Sequence, residues 1–477
     1  MSTDPNWRRA EVIAADAQLQ RLDDFYHGTD AVRARSKVYV PPLELETETK
    51  YRARSTAAVA PGAVTRTVDA SVGRMFAVAP TLDPGGYAAI TDEWQDLDGQ
   101  GTHGDVWLSR AGVWAVLDGF YLALIDAPQA PAPLVALPDA PQYRPRWIGY
   151  RRRQVLNWRT AVIENRMVLT MLALKESAEV KDGAWGLTSE ERVRVLRNTG
   201  GVITAEVWAE RPDSATRNTW QLIEGPVLYD GPTEIPVAVL AAGKVVAPFV
   251  VRPPLLALCD KVIEFYRAAT NMAHYEQMAC FPQPVVVGQL QSVSGDGRLV
   301  LGPTSVVNVE AGGDFKWAEL SGGSMTQLRE NQRDRRQEIG ALGLSFLVTE
   351  TRSAETAKAK TLDNAAENAT LADAARGIED GANVALAHHV SYAGVPADQA
   401  PTVSLNKNLS GDVIDAVLLR VLLDMRTAGE LTMQEFRELL SRGRIIPSEM
   451  AAEDAVLLAE VEAVARAASV GEMEVMA

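Results

Sequence analysis

The sequence predicts an α+β fold, mainly helical, with a β-rich block set between helical parts. Three observations carry this. Residues 253–288 open on Pro253 and Pro254, then run without Gly or Pro to Pro282, with apolar residues at helical spacing. Residues 147–251 hold short β-prone runs divided by glycine turns. From Ser324 onward the chain reads as helix, short polar loop, very long helix and shorter helices.

Taken in order, Asp4-Pro5 marks a helix start, and Leu19, Leu22 and Phe25 continue its stripe to Gly28. The following VYVPPLELETETKYRARS reads as a loop with an extended piece over Val38–Val40. Val64–Phe76 is a second helix, closed near Pro80. Residues 81–110 mix turns with short helical pieces. In Ala111–Asp126 a helix turns at Asp118-Gly119 into a buried strand, and a proline-rich connection follows from Ala127.

In the β-rich block, Tyr150–Trp158, Arg166–Leu174, Glu191–Trp208 and Trp220–Leu228 are strands. Asp182-Gly183, Gly200-Gly201 and Asp230-Gly231 turn the chain, and Val237–Leu240 and Val245–Val251 close the block. The long helix presents Leu255, Leu258, Cys259, Val262, Phe265, Tyr266, Ala269 and Met272 along one side; at about 27 residues it spans roughly 40 Å. Pro284–Glu310 returns to strands, with a hairpin signal at Gly295-Asp296-Gly297. Ser324 and Gln327 form a capping box for a helix ended by Gly340 and Gly343. Ser353 caps the helix from Ala354 to about Ala387, whose small side chains permit close helix–helix approach. Three short helices follow: Asp412–Arg426, with Gly429 near its cap; one capped by Thr432 and Glu435; and Glu449–Ala468 in an acidic tail.

Net charge is −15 over 477 residues, which argues against a tight, non-specific grip on nucleic acid or anionic membrane. No apolar run reaches the roughly 18 residues of a membrane span, and the N-terminus lacks a signal-peptide core. The chain reads as cytoplasmic when made. Cys259 and Cys280 would lie roughly 30 Å apart on the helix, too far for a disulfide within it; buried thiols in a reducing compartment are expected.

Motifs for chemistry are missing. Gly243-Lys244 fails as a phosphate loop at both ends, and there is no H-E-x-x-H, G-x-S-x-G or C-x-x-C. His388 and His389 suit the C-terminal dipole of a helix better than a metal. Asp96-Leu97-Asp98-Gly99 is a turn rather than a calcium loop. Arg144, Arg146, Arg151, Arg152 and Arg153 cluster around Trp147 and Tyr150; pairing with acidic neighbours at a surface or subunit interface outweighs nucleic-acid binding. Arg329, Arg333 and Arg336 share one helix face, with acids interspersed, and read as an inter-subunit salt-bridge face. Neither an enzymatic activity nor a cofactor or metal is expected.

Several stretches, in this order, resemble the portal proteins of tailed phages, nearest to a subgroup catalogued as an uncharacterised phage-associated domain. They are Tyr39-Val40-Pro41 with Tyr51-Arg52, RTVDASVGRMFAVAP (66–80), LIDAP (124–128) and PRWIGYRRRQVLNWR (145–159). IPVAVL (235–240), the helix from PPLLALCDKV to PQPVVVG and ETAKAK (355–360) complete the series. The likeness covers about residues 35–395.

The resemblance implies a portal fold with wing, stem, clip and crown. Residues 1–145 would be an N-terminal wing region, 146–180 a helical first stem segment, 181–251 a β-rich clip and 252–282 the second stem helix. Residues 283–342 would be wing strands and helix, 343–353 the tunnel loop, 354–400 a long wing helix and 401–477 a helical crown. It implies a homo-oligomeric ring, usually of twelve subunits, at one capsid vertex of the virion, assembled in the host cytoplasm. Double-stranded DNA would pass through it; the terminase large subunit, major capsid or scaffold protein and head–tail adaptor would be its partners, with no membrane involved. Thr349, Glu350, Thr351, Arg352 and Ser353 become candidates for touching DNA, with Arg352 at phosphate. Leu258, Val262, Phe265 and Met272 become stem packing residues, including against the next subunit, with Asp260, Lys261, Glu264 and Arg267 facing solvent, lumen or the adjacent protomer. Twelve copies would sum to a charge on the order of −180, which discourages DNA from sticking. The alternatives are another head–tail adaptor or minor capsid protein and, further off, a nuclease, for which no carboxylate cluster is spaced.

Overall fold

Gly119, at a left-handed φ of 96°, turns the chain from a helix straight into a buried strand. The computed structural model describes residues 4–127, 144–214, 217–279, 283–288, 309–318, 322–343, 357–407 and 416–442. In chain order, α1 (Ala10–His27), α2 (Thr29–Ala34), α3 (Ser36–Tyr39), α4 (Glu48–Ser55) and α5 (Ala63–Met75) make the N-terminal part. Next come β1 (Thr81–Asp83), α6 (Ile90–Glu93), α7 (Gly104–Asp118), β2 (Phe120–Asp126) and β3 (Arg146–Arg151). A meander follows: β4 (Val155–Ile163), β5 (Arg166–Asp182), β6 (Gly186–Thr199), β7 (Val202–Ser214) and β8 (Arg217–Tyr229). β9 (Val237–Ala241), β10 (Lys244–Ala247) and β11 (Val250–Arg252) precede α8 (Leu256–Ala279). Then come β12 (Gln283–Val287), β13 (Asp314–Ala318), α9 (Gly322–Leu342), α10 (Ala357–Ser391), β14 (Thr402–Ser404), α11 (Ala416–Thr427) and α12 (Met433–Arg442).

The chain forms two compact units, one of residues 1–355 and 373–405, the other of residues 356–372 and 406–477. In the first, a three-stranded sheet (β3-β2-β9) and the five-stranded meander are antiparallel throughout. Alternation along β5 explains why it is strand: Leu172 and Leu174 enter a core with Phe120, Leu122, Tyr150 and Leu196. Met171 and Ala173 point the other way, to a smaller cluster with Val193, Val195 and the half-buried Trp208 and Trp220. In the second unit, Gly429 (φ 78°) ends α11. The expected capping box then forms: Glu435 N–H donates to Thr432 Oγ1 at 3.2 Å, and Thr432 N–H donates to Glu435 Oε2 at 2.9 Å.

The helix–turn–strand at Gly119, the helix over α5 and the glycine turns of the meander match the sequence reading. Four expectations differ. The 146–180 segment is strand, not a helical stem piece, because its apolar residues alternate with period two; the division at 180/181 falls inside β5. The stretch from Val38 to Ser55, expected as a loop, holds the end of α3 and α4; Thr47 Oγ1 accepts from Lys50 N, and Tyr51 and Arg54 are buried. α1 starts at Ala10, since Asp4 instead closes a turn, its Oδ1 accepting from Asn6 N at 2.8 Å. α9 begins at Gly322, two residues before Ser324, and runs through the buried Gly340. The hairpin at Gly295–Gly297, Cys280, the Ser353 cap and the helix Glu449–Ala468 lie outside the described residues.

Candidate functional site

The long helix α8 is the candidate around which the other elements gather. Leu258, Cys259, Val262, Ile263, Tyr266 and Thr270 form its buried side. That side packs on α1, α4 and α5 of the same chain, while α9 runs alongside. The Phe25 ring meets Tyr266 edge-on at 6.0 Å and Tyr39 at 5.1 Å, and the Tyr39 hydroxyl donates to Asp24 Oδ2 at 2.5 Å. Of the expected packing residues, Leu258 and Val262 are buried and Phe265 and Met272 half-buried.

The charged side of α8 faces outward, with Asp260, Glu264 and Arg267 exposed and Lys261 half-buried, as the expected solvent-facing side requires, and each of the four also has a partner within the protomer. Asp260 pairs with Arg21 at 2.7 Å, Lys261 with Glu338 at 2.8 Å and Glu264 with Arg335 at 3.1 Å. Arg267 Nε donates to the Tyr39 carbonyl at 2.5 Å. Arg329 meets Glu276 at 3.5 Å, and the Arg336 guanidinium lies 5.7 Å from the centre of the Phe265 ring. Arg329, Arg335 and Arg336 of α9 therefore meet α8 inside one copy, while Arg333, the third residue of the expected face, is exposed. Burial, and after it Asp260, push the Cys259 thiol up to about 12, so thiolate chemistry is suppressed there.

The cluster at the start of the meander is likewise intramolecular. Arg144 is bonded to Asp96, and Arg146 pairs with Asp126 at 3.2 Å. Arg151 holds Asp118 and reaches Asp23 at 2.8 Å, while Arg153 lies 3.7 Å from Asp23. Arg152 donates to the carbonyls of Asp118 and Val251. These guanidiniums tie α1, α7 and β11 to the β3–β4 corner, which leaves little of their charge for phosphate. Acidic pairing was legible in the sequence; its placement between elements of one protomer was not.

Two further assemblies escaped the sequence reading. His389, expected to serve a helix dipole, is buried: its Nδ1 accepts from Trp147 Nε1 at 3.2 Å. Because indole only donates, His389 Nε2 carries the hydrogen that Glu93 Oε2 accepts at 2.7 Å. Beside β2, Asp126 accepts from Tyr229 at 2.6 Å and Glu176 from Arg194 at 2.6 Å, with Tyr150 also bonded to Glu176. Burial and then Glu176 drive the Tyr150 phenol well above its ordinary range. The only advance signal was the presence of tyrosines and charges inside strands.

Asp96 and Asp98 accept backbone N–H groups of Gly101 and Gln100 at 2.6 and 2.9 Å, which is a turn and not a cation loop. Among the described residues no group of three or more His, Cys, Asp or Glu is placed to hold a metal, and no helix is long and apolar enough to cross a membrane. Thr349, Glu350, Thr351, Arg352 and Ser353 lie outside the described residues.

A family model described as "Domain of unknown function (DUF4055)" matches residues 254–393, from the start of α8 to just past α10. No curated protein matches the chain. Similar solved structures include a chain of "Virion of native gene transfer agent (GTA) particle", 15% identical over 86% of this chain and 98% of that one, with a TM-score of 0.42. A chain of "Neck of empty GTA particle computed with C6 symmetry" is 15% identical, covering 80% and 90%, with a TM-score of 0.43. One of "Neck of native GTA particle computed with C12 symmetry" is 13% identical, covering 79% and 89%, at 0.41. At these scores the likeness is loose, and nothing further rests on it.

Proposed function

We propose that this chain is a portal protein of a tailed phage, a non-enzymatic conduit that assembles as a ring, with twelve copies the expected number. In this reading double-stranded DNA enters and leaves the capsid through the ring, which docks the terminase large subunit outside, contacts capsid or scaffold protein, and later receives the head–tail adaptor.

One observation carries it. The stretches that resemble portal proteins come in family order; of their described parts, the end of β2, the β3–β4 corner and β9 share one core, and α5 packs on α8. The family-model match covers the stretch from α8 through α10, where the resemblance puts the second stem helix, tunnel loop and long wing helix. The acidic balance of −15 per copy suits a wall past which DNA slides.

Negative-stain images of the purified protein test the reading. Rings with a central hole that bind the terminase large subunit are expected. Compact monomers would overturn it, and rings that ignore the terminase but bind a completed head would favour a head–tail adaptor.

A further inference from the structure

An antiparallel sheet with one face in water alternates apolar residues inward and polar residues outward. The meander breaks that rule. Its inner face meets the three-stranded sheet through Leu172, Leu174 and Leu196. Its outer face also carries buried apolar residues, Met171, Ala173, Val193 and Val195, with Trp208 and Trp220 half-buried beside them. The N-terminal stretch crosses only one side of that face. Arg9 N–H donates to the Leu156 carbonyl at 3.1 Å, and Arg9 Nη1 to that of Trp158 at 3.0 Å.

Between this stretch and the sheet lies an open groove of about 680 Å³. Its lining is apolar at Met171, Ala173 and Val195 and aromatic at Trp7 and Trp208, and Trp7 is 48% exposed. Two of its three cations are engaged: Arg9 meets Glu11 at 2.9 Å, and Arg197 lies 3.6 Å from Glu206. The third, Arg159, is exposed and has no partner among the described residues.

The sequence holds a segment of matching chemistry. Residues 128–143, outside the described part, read PQAPAPLVALPDAPQY. Asp126 and Arg146 stand opposite each other on β2 and β3. A hairpin between such strands closes with about two to five residues, yet all of 127–145 joins these two. Pro138-Asp139-Ala140-Pro141 is a P-x-x-P motif. In a polyproline helix, with three residues per turn, its two rings share one face about 9 Å apart. Such segments dock in aromatic-lined grooves with little entropy left to lose. Asp139 is the one charged residue of 128–143, and it supplies the carboxylate that Arg159 lacks.

Reach decides which copy supplies the segment. Asp126 lies on the inner face, 3.9 Å from Arg194 of the central strand β6. From there to the groove of its own sheet the chain would pass two strands and round β4, which α1 already flanks, a path of roughly 20 Å or more. Arg144 is tied to Asp96, and Asp139 precedes it by five residues, about 16 Å at 3.1 Å per residue. Its own groove is out of range.

We infer that Pro138–Pro141 of one copy occupies the Trp7–Trp208 groove of another, with Asp139 against Arg159. The contact joins two different patches, which suits a ring. It rests on the ring proposed above and names an arm and a socket within it.

Mixed assemblies test it. Subunits with Asp139→Cys and subunits with Arg159→Cys, combined before assembly, should give disulfide-linked pairs of chains on mild oxidation, and neither variant alone should. Asp139→Arg should raise the concentration at which rings dissociate about fivefold or more, and Arg159→Asp in the same chain should bring it back. Pro138→Ala with Pro141→Ala should raise it about tenfold, as loss of an interface anchor does. Rings that form normally with Asp139→Arg and give no linked pairs overturn the arm and leave the portal reading standing. A link that forms only within single chains carrying both cysteines overturns the exchange between copies. Wild-type protein that forms no rings removes both.

Discussion

Arg151 holds Asp118 by two bonds, Nε to Oδ2 at 2.8 Å and Nη2 to Oδ1 at 2.9 Å, although the carboxylate is wholly buried. The same guanidinium lies 4.0 Å from the centre of the Trp114 ring and meets Asp23 at 2.8 Å. Burial alone raises the Asp118 carboxyl above its ordinary range, and Arg151 pulls it back. Arg151→Ala would strand that carboxylate in a dry corner. The expected loss is about 3–5 kcal/mol, the cost of breaking a buried pair by removing one partner. A urea midpoint equal to wild type would show that the pair does not hold α1, α7 and β3 together.

Two glycines set the distance between α10 and the three-stranded sheet. A Cβ on Gly377 would stand 2.1 Å from the Ala241 carbonyl oxygen, and one on Gly381 2.5 Å from that of Val239. Neither backbone atom can swing aside, so the helix must lift from β9. Gly377→Ala is expected to destabilise by about 1–3 kcal/mol, as overpacking does. Gly73, within α5, has open space where its Cβ would go, and Gly73→Ala should stabilise by about 0.5–1 kcal/mol. Thermal melts of the two variants should move in opposite directions; a shared direction would refute the close approach.

These examples separate what local sequence carries from what it does not. The turn at Gly119 and the glycine turns of the meander depend on a few adjacent residues, and all were legible. The small residues of α10 announced close approach, but the partner is a strand and not a second helix, and nothing local could say so. The arginines around Trp147 were visible as a cluster. Their partners come from positions as distant as Asp23 and Asp96, and only the tertiary fold brings those carboxylates to them. α4 was missed because ETKYRARS has no apolar stripe; its burial rests on Tyr51 and on an arginine.

That arginine gives a pH prediction. Arg54 donates to both carboxylate oxygens of Glu46, at 2.8 and 2.7 Å, and the side chains are only 3% and 7% exposed. The hydrogen bonds from Arg54 hold the Glu46 carboxyl down at about 2, against 4.5 when free. A carboxylate depressed in this way contributes stability above pH 4.5 that is lost as pH falls toward 2. Glu46→Gln should lower the urea midpoint at neutral pH and flatten its decline over that window. An acid limb as steep as wild type would mean that other carboxylates carry it.

The stretch 349–353, expected from the resemblance to be a tunnel loop, offers a test of the proposed conduit. If Arg352 meets phosphate and Glu350 keeps the contact weak, Arg352→Ala with Glu350→Ala should slow DNA packaging or shorten the packaged length while leaving rings intact. Unchanged packaging in the double variant removes those residues from the DNA path.

Val262 decides what α8 does. On sequence grounds Val262→Asp would be read as a defect in ring assembly, with the stem helix failing to meet its neighbour. In the structure Val262 is wholly buried, on a helix that packs on α1, α4 and α5 of its own chain. An aspartate there would bury a carboxylate in an apolar helix seam, and burying an unpaired charge belongs to the substitutions that cost more than about 4 kcal/mol. The variant should therefore lose its cooperative melt as a single chain, before assembly is at issue. Phe265→Ala is the contrasting probe, since Phe265 is half-buried beneath Arg336 at the α8–α9 seam. It should keep the fold and weaken only that seam. A folded Val262→Asp monomer that fails to form rings would place this side of α8 between subunits instead of inside one.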